Sequence, residues 1–347
     1  MKAAVFIEPG QVRIEDREAP QVTAPSDAIV KVVRASVCGS DLWFYRGIAK
    51  RSGGDTVGHE AIGIVTEVGA DVTTLTPGDF VIVPFTHGCG HCAACLAGYD
   101  ANCSNANFGR NAGYQAEYMR APNADGALIK IPGKPSDYSE DLLKSFVTLA
   151  DVMATGYHAA VSADVRPGAT AVVFGDGAVG LCGVISAKLG GAERIIIMSR
   201  HEDRQRLARE FGATDVVAER GDEAVARVLE LTNGVGADAT LECVGTAQST
   251  ETAFAVARAG SMIGRVGVPQ SRDLDVNALF WRNVGLKGGP ANVTTYVRQI
   301  LLEKVLDGSI NPGRVFTGEY ELDAIQDAYA AMDERRVIKS LVRVADR

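Results

Sequence analysis

Val172-Val173-Phe174-Gly175-Asp176-Gly177-Ala178-Val179-Gly180 runs from an apolar, β-branched stretch into a glycine-spaced turn and on into a helical pattern at 178–189. This is G-x-G-x-x-G in the context that gives it meaning: strand, tight turn and helix within a βαβ unit. Gly175 permits the turn, Gly177 lets the backbone approach a pyrophosphate, and Gly180 lets helix and strand pack closely. The helix N-terminus, beginning at Ala178 and Val179, supplies the anion site. The competing reading is a purely structural glycine turn; the strand-to-helix context favours a dinucleotide. Asp176 sets a carboxylate beside that anion site, and its side chain is expected to point away.

Outward from the turn, a strict strand–helix alternation holds from residue 166 onward. Strands are predicted at 171–174, 194–198, 215–217, 239–243 and 262–268, with helices at 178–189, 203–211, 223–231 and 249–257. Such alternation implies a parallel sheet covered by helices on both faces. The first 150 residues read differently, as β-rich. Short β-branched or alternating runs at 28–37, 61–68, 80–83 and 114–119, punctuated at Pro25, Gly58, Pro77-Gly78 and Pro122, suggest a small, partly open barrel with inserted loops at 38–58 and 85–113. Helices at 139–149 and 151–161 lead into the alternating region. The tail gives helices at 294–306 and 322–332 and a closing strand at 337–344. The fold class is therefore α/β, a doubly wound coenzyme domain (154–293) inserted into a β-rich domain (1–153 and 294–347).

Composition narrows the function. The 347 residues are 46% apolar and 22% charged, enough to bury a sizeable core. Lys and Arg number 35 against 43 Asp and Glu, a net charge of −8 with no basic run, so no nucleic-acid face is expected. No stretch approaches the roughly 20 apolar residues that span a bilayer. Met1-Lys2-Ala3-Ala4-Val5-Phe6-Ile7 opens like a signal sequence, but Glu8-Pro9-Gly10 ends the apolar run, which reads instead as a first strand. A cytoplasmic, reducing compartment is expected, with cysteines read as metal ligands or core before disulfides.

The end of the second strand of a dinucleotide fold selects the coenzyme, usually through an acid bonded to the ribose 2′-hydroxyl. Here that position is Ser199, followed by Arg200, with Arg204 one helical turn on. A hydroxyl donor and a guanidinium suit a 2′-phosphate. The alternative is solvated surface charge. NADP is expected, with NAD possible.

Four of the seven cysteines form Cys89-x2-Cys92-x2-Cys95-x7-Cys103 in one glycine-rich loop, the spacing of a tetrahedral four-cysteine zinc site. Structural zinc binds model peptides with about 10–16 kcal/mol, sufficient to organise a loop without a core of its own. An iron–sulfur cluster or disulfides are the alternatives. His91 lies between the ligands but has no vacancy to fill, while Cys182 and Cys243 read as core. Cys38, in Cys38-Gly39-Ser40-Asp41, precedes Gly58-His59-Glu60; a thiolate and an imidazole suit a catalytic zinc with an open position, or are simply a buried Cys and an ordinary His.

These segments, with Asp151 and the glycine turn, resemble the zinc-dependent medium-chain dehydrogenase/reductase (alcohol dehydrogenase) family over nearly the whole chain and in the right order. The resemblance implies a GroES-like catalytic domain and a Rossmann coenzyme domain, with the active site in the cleft between them. It implies a catalytic zinc on Cys38, His59 and Asp151, with Glu60 as an alternative or transient ligand. Asp41 would accept the free ring N–H of His59. Ser40 matches the hydroxyl that relays the proton; the His that follows it by three residues in several members is Trp43 here. Gly39 replaces an Arg that binds phosphate in some members. Val244-Gly245 and Val266-Gly267-Val268 match backbone along the nicotinamide and its ribose, and Lys339 matches a basic residue reaching the coenzyme phosphates. Phe85, Phe108 and Trp281 are candidate pocket walls or core.

The expected activity is hydride transfer between a primary or secondary alcohol, or the aldehyde or ketone, and NADP(H), with one catalytic and one structural Zn2+ per chain. A homodimer or homotetramer acting on a small molecule is implied. The alternatives are an NAD-dependent polyol or amino-alcohol dehydrogenase and a catalytically inactive coenzyme-binding scaffold or redox sensor.

Overall fold

The computed structural model describes residues 1–105, 113–270 and 274–346. The chain divides into two compact units, Met1–Asp151 with Asn292–Arg347, and Val152–Ala291. In the first, β1 (Lys2–Glu8) and β2 (Gln11–Asp16) pair antiparallel around Pro9-Gly10. β3 (Ala28–Ser36), buried everywhere except Lys31, is the backbone of the main sheet. β4 (Ala61–Val68), β5 (Phe80–Val83), β6 (Tyr118–Ala121) and β7 (Ile129–Ile131) build on it. Val30, Val32, Val65, Val81 and Val83 pack with Phe6 and Phe44 in its core.

The second unit contains β8 (Thr170–Phe174), β9 (Arg194–Met198), β10 (Asp215–Val217), β11 (Ala237–Glu242), β12 (Ala257–Arg265) and β13 (Gly285–Gly288). They lie in the order β10-β9-β8-β11-β12-β13, every pair parallel. The order reverses between β8 and β11, the place where a doubly wound sheet opens a ligand crevice at its carboxyl ends. The glycine turn leaves β8 at this point, and Val244-Gly245 leaves β11.

The returning tail adds β14 (Phe316–Glu321) and β15 (Lys339–Arg343), completing the order β14-β15-β3-β4-β5-β7 with β6 also on β3. β6 takes the Ala28–Lys31 end of β3 and β15 the Arg34–Ser36 end. Together the two units are the GroES-like and Rossmann halves of an α/β protein. No helix among the described residues is long and apolar enough to cross a membrane.

Three local expectations change. The run at 114–119 becomes a strand only from Tyr118: Gln115 bonds the Val57 carbonyl and Ala116 bridges Ala3, so β1 and the loop at Val57 rather than β3 claim the start. β12 stops at Arg265, because the N–H groups of Val266 and Gly267 both turn to the Glu242 carbonyl. The helix expected at 294–306 is Val293–Tyr296 and Leu302–Leu306 with a π-helical turn, Val297–Leu301, between them.

The glycine turn is held by close backbone contact. Gly175 has φ +106°, and a Cβ on Gly180 would stand 1.9 Å from the Gly175 carbonyl oxygen. Gly180→Ala is therefore expected to cost about 1–3 kcal/mol through overpacking. Differential scanning calorimetry should show a melting temperature several degrees lower; an unchanged one would contradict this packing.

Candidate active site and metal centres

The antiparallel pairing of β3 with β4, Ala35 opposite Ala61, sets Cys38, just after β3, beside His59, just before β4. Gly58 turns the chain at φ +91°, where a Cβ would strike Gln115 Cγ at 2.5 Å, so only glycine lets the segment lie this close. Asp151 comes from 113 residues away, after the helix Glu140–Leu149.

The four side chains converge, with one ligand atom each of Cys38, His59, Glu60 and Asp151 within 4.8 Å of the others. Cys38 Sγ stands 3.4 Å from Asp151 Oδ2, and His59 Nε2 lies 3.5 Å from that oxygen and 4.0 Å from Glu60 Oε1. His59 Nδ1 faces Asp41 Oδ1 at 3.2 Å, which directs its Nε2 into the cluster. Asp41 is itself fixed, its Oδ2 accepting the Cys38 N–H at 3.0 Å. Burial first, then the Asp151 and Glu60 charges, push the Cys38 thiol up to about 11. A divalent cation reverses that, since a coordinated thiol loses its proton outright. Thiolate, imidazole and carboxylate make a donor set that fits zinc.

Within the cluster, Glu60 is fully buried. Its Oε2 accepts from Ser36 Oγ at 2.5 Å, and Lys339 Nζ lies 2.9 Å from Oε1 and 2.8 Å from Oε2. This corrects the expected role of Lys339. Its ammonium is enclosed, 1% exposed, and bonded to Glu60 and the Val37 carbonyl, so the charge it answers is a carboxylate of the metal cluster and not a coenzyme phosphate. Burial opposes that charge, but Glu60 outweighs it and raises the Lys339 pKa. Ser36 and Gln115, whose Nε2 donates to the Ser36 carbonyl and whose Oε1 accepts from Tyr329 OH, complete the support without any short-range sequence signal.

Cys89, Cys92, Cys95 and Cys103 form the second cluster, also within 4.8 Å of one another and all free thiols. Cys92 and Cys103 sulfurs are 3.7 Å apart, far beyond a disulfide and close to the edge of a tetrahedron with ~2.3 Å zinc–sulfur bonds. Backbone N–H groups of Cys89 and Asn105 point to Cys103 Sγ and that of Cys92 to Cys89 Sγ. Backbone donors from Cys95 and Ser104 lower the Cys92 pKa to about 6, which prepares a thiolate. His91 Nδ1 bonds the Cys89 carbonyl instead.

Around the first cluster, Ser40 is exposed and makes no cap bond to the short helix Asp41–Tyr45, so its hydroxyl is not engaged there. Trp43 is half-buried on that helix. Phe85 stands edge-on to His59, ring centres 6.4 Å apart, and walls the cluster. Phe108 lies outside the described residues. Trp281, in the second unit, is 76% exposed and so not core.

In that second unit, Gly177 has open space where a Cβ would stand, and no side chain caps the helix Ala178–Leu189 that it begins. The first N–H groups are therefore available to an anion. Val244 and Val268 are exposed at the carboxyl end of the sheet. Their two turns are pinned together by Glu242, which sequence reasoning passes over. Its buried Oε1 accepts from Val244 N, Gly245 N and Ser249 Oγ, while its carbonyl accepts from Val266 and Gly267.

Asp176 does not point away. Its Oδ2 accepts from Ser199 Oγ at 2.8 Å, and its Oδ1 lies 3.4 Å from Arg204 Nη1. Ser199 is fully buried and already donating, whereas Arg200 is exposed. Arg220, just beyond β10, is a cation that sequence reasoning misses; burial and then the Arg200 charge lower its pKa, while Asp176 opposes.

Two family descriptions match the chain: "Alcohol dehydrogenase GroES-like domain" over residues 24–133 and "Zinc-binding dehydrogenase" over 178–303. An alcohol dehydrogenase of Cupriavidus necator is 31% identical over 97% of this chain and 96% of its own length. Zinc-type alcohol dehydrogenase B of Aspergillus flavus is 38% identical over 77% of this chain, which spans only 64% of that longer relative. Among solved structures, alcohol dehydrogenase TADH from Thermus sp. ATN1 superposes with a TM-score of 0.91 at 30% identity, covering 99% of this chain and 100% of that one.

Metal analysis of the purified protein should give about two zinc ions per chain, and Cys92→Ser about one; one or none in the native protein would contradict the paired clusters. Lys339→Met leaves Glu60 buried without its partner and should cost about 3–5 kcal/mol in denaturant unfolding of the zinc-loaded protein. A loss below about 1 kcal/mol would show that the pair is not what holds Glu60 in place.

Proposed function

The chain belongs to the zinc-dependent medium-chain dehydrogenase/reductase (alcohol dehydrogenase) family, and from that premise we propose that it interconverts a primary or secondary alcohol and its aldehyde or ketone by hydride transfer to NADP+. The observation that carries this reading is the convergence of Cys38, His59 and Asp151, three protein ligands of three chemistries, the number a catalytic zinc keeps while leaving a position for substrate. A zinc ion held there supplies Lewis acidity, polarising the alcohol oxygen and bringing its pKa towards neutrality. Asp41 fixes the His59 tautomer so that Nε2 serves as ligand.

Ser40 receives the proton from the substrate oxygen through its free hydroxyl. Trp43, an indole, cannot titrate, so the proton passes from Ser40 to water and not to a second side chain. A nicotinamide coenzyme held at the Gly175–Gly180 turn would supply the two-electron oxidant, taking up the hydride that the substrate carbon gives up. Phe85 beside His59 favours a small apolar or benzylic alcohol over a polyol. The complete ligand set argues against an inactive scaffold.

The coenzyme preference rests on Arg200, Arg204 and Arg220, three guanidinium groups at the end of β9 and β10, which together suit a 2′-phosphate. NAD is the second reading, favoured by the Asp176 carboxylate on Ser199. A homodimer or homotetramer belongs to the same proposal.

Initial rates with NADP+ and NAD+ against primary, secondary, benzylic and poly-alcohols, with and without a chelator, test it. Chelator-sensitive turnover favouring NADP+ and benzylic or secondary alcohols is expected, and Ser40→Ala should lower kcat by about 10²–10⁴. No turnover by zinc-replete protein with any alcohol would overturn the activity; turnover with NAD+ alone would overturn the coenzyme.

A further inference from the structure

In a dinucleotide fold the acid that reads the ribose usually stands at the end of the second strand. That place, after β9, is Ser199, which has no charge and is fully buried. Yet a carboxylate is there. Asp176, second residue of the glycine turn after β8, sets Oδ2 2.8 Å from Ser199 Oγ, one hydrogen bond from the missing acid's position. The pairing of β8 with β9, Phe174 opposite Met198, brings the two turns together. Arg204, reaching back from the helix Glu202–Phe211, faces the same carboxylate at 3.4 Å, and both side chains are largely buried. β10 pairs with β9 at Val217 and Met198, so Arg220 leaves the sheet beside Arg200. The acid is thus supplied by a different strand, and it engages the hydroxyl and one of the cations that a 2′-phosphate would need.

We propose that Asp176 is the residue by which this enzyme discriminates between the two nicotinamide coenzymes: its carboxylate accepts a hydrogen bond from a ribose 2′-hydroxyl, repels a 2′-phosphate, and competes with that phosphate for Ser199 and Arg204. A phosphate dianion placed among Arg200, Arg204 and Arg220 is attracted by three cations and opposed by one carboxylate a few ångströms away. Removing that carboxylate relieves the opposition to NADP+ and takes an acceptor from the 2′-hydroxyl of NAD+. The inference rests on the glycine turn being a nicotinamide-coenzyme site, and not on which coenzyme the native enzyme prefers.

The test compares zinc-loaded native enzyme with Asp176→Ala and Asp176→Asn. It measures kcat/KM for NADP+ and NAD+ with one alcohol, and the binding of each coenzyme by calorimetry. Both variants should raise the NADP+/NAD+ ratio of kcat/KM roughly tenfold or more, the change lying in KM and Kd, with NAD+ binding weakened. A ratio unchanged within about twofold, with both coenzymes still binding, overturns the inference and leaves the proposed activity intact. A rise in Asp176→Ala but not in Asp176→Asn would assign the effect to side-chain size and also overturn it. If neither coenzyme binds the native protein, the coenzyme reading itself falls and takes this inference with it.

Discussion

The first unit brings together a crowd of acidic groups that water does not screen. Cys38, Asp151 and Glu60 present thiol and carboxylate atoms within 4.8 Å of one another and of His59, all at buried or nearly buried positions. Like charges so close cannot all ionise unless a cation sits among them. One cation is built in: Lys339 pairs with Glu60. That leaves Cys38, His59 and Asp151 as a set whose natural complement is a divalent metal. The glycine at position 58, the Asp41 bond to His59 and the Ser36–Gln115–Tyr329 chain all hold these atoms still.

The second unit solves a different problem, presenting backbone to a ligand at the carboxyl edge of a parallel sheet. Glycines keep the β8 turn tight and its face open, and Glu242 ties the turns after β11 and β12 into one surface. The charges near the end of β9 are not a plain basic patch. An acid lies among the arginines, already bonded to Ser199 and Arg204. The four-cysteine loop is fixed independently: Asp100, between its ligands, accepts the N–H groups of Thr294 and Thr295 and fastens the loop to the returning tail.

Much of this is legible in the sequence because the signals are local. The glycine turn and the four cysteines announce themselves by spacing within a dozen or so residues, and β4, β5, β9 and β10 by short apolar runs. What depends on distant partners is not legible. Asp151 joins Cys38 across 113 positions and is reached only through resemblance. Lys339 receives the wrong counter-ion from the resemblance, and its own partner, Glu60, is 279 residues away. The direction of Asp176 is hidden too: the βαβ reading sets β8 beside β9, but nothing in the local sequence reveals that Ser199 turns its hydroxyl to Asp176. The glycine-rich β13 carries no strand propensity and exists because β12 pairs with it.

The proposed activity depends on Cys38, His59 and Asp151 holding a metal with a coordination position left for the alcohol. Cobalt(II), whose visible d–d bands change with its ligands, reports this directly when it replaces zinc. With the four-cysteine cluster unchanged as an internal reference, adding an alcohol substrate should shift the bands of the Cys38–His59–Asp151 site, and the shift should saturate with the concentration that saturates turnover. A spectrum indifferent to alcohol in an enzyme that turns it over would contradict the account.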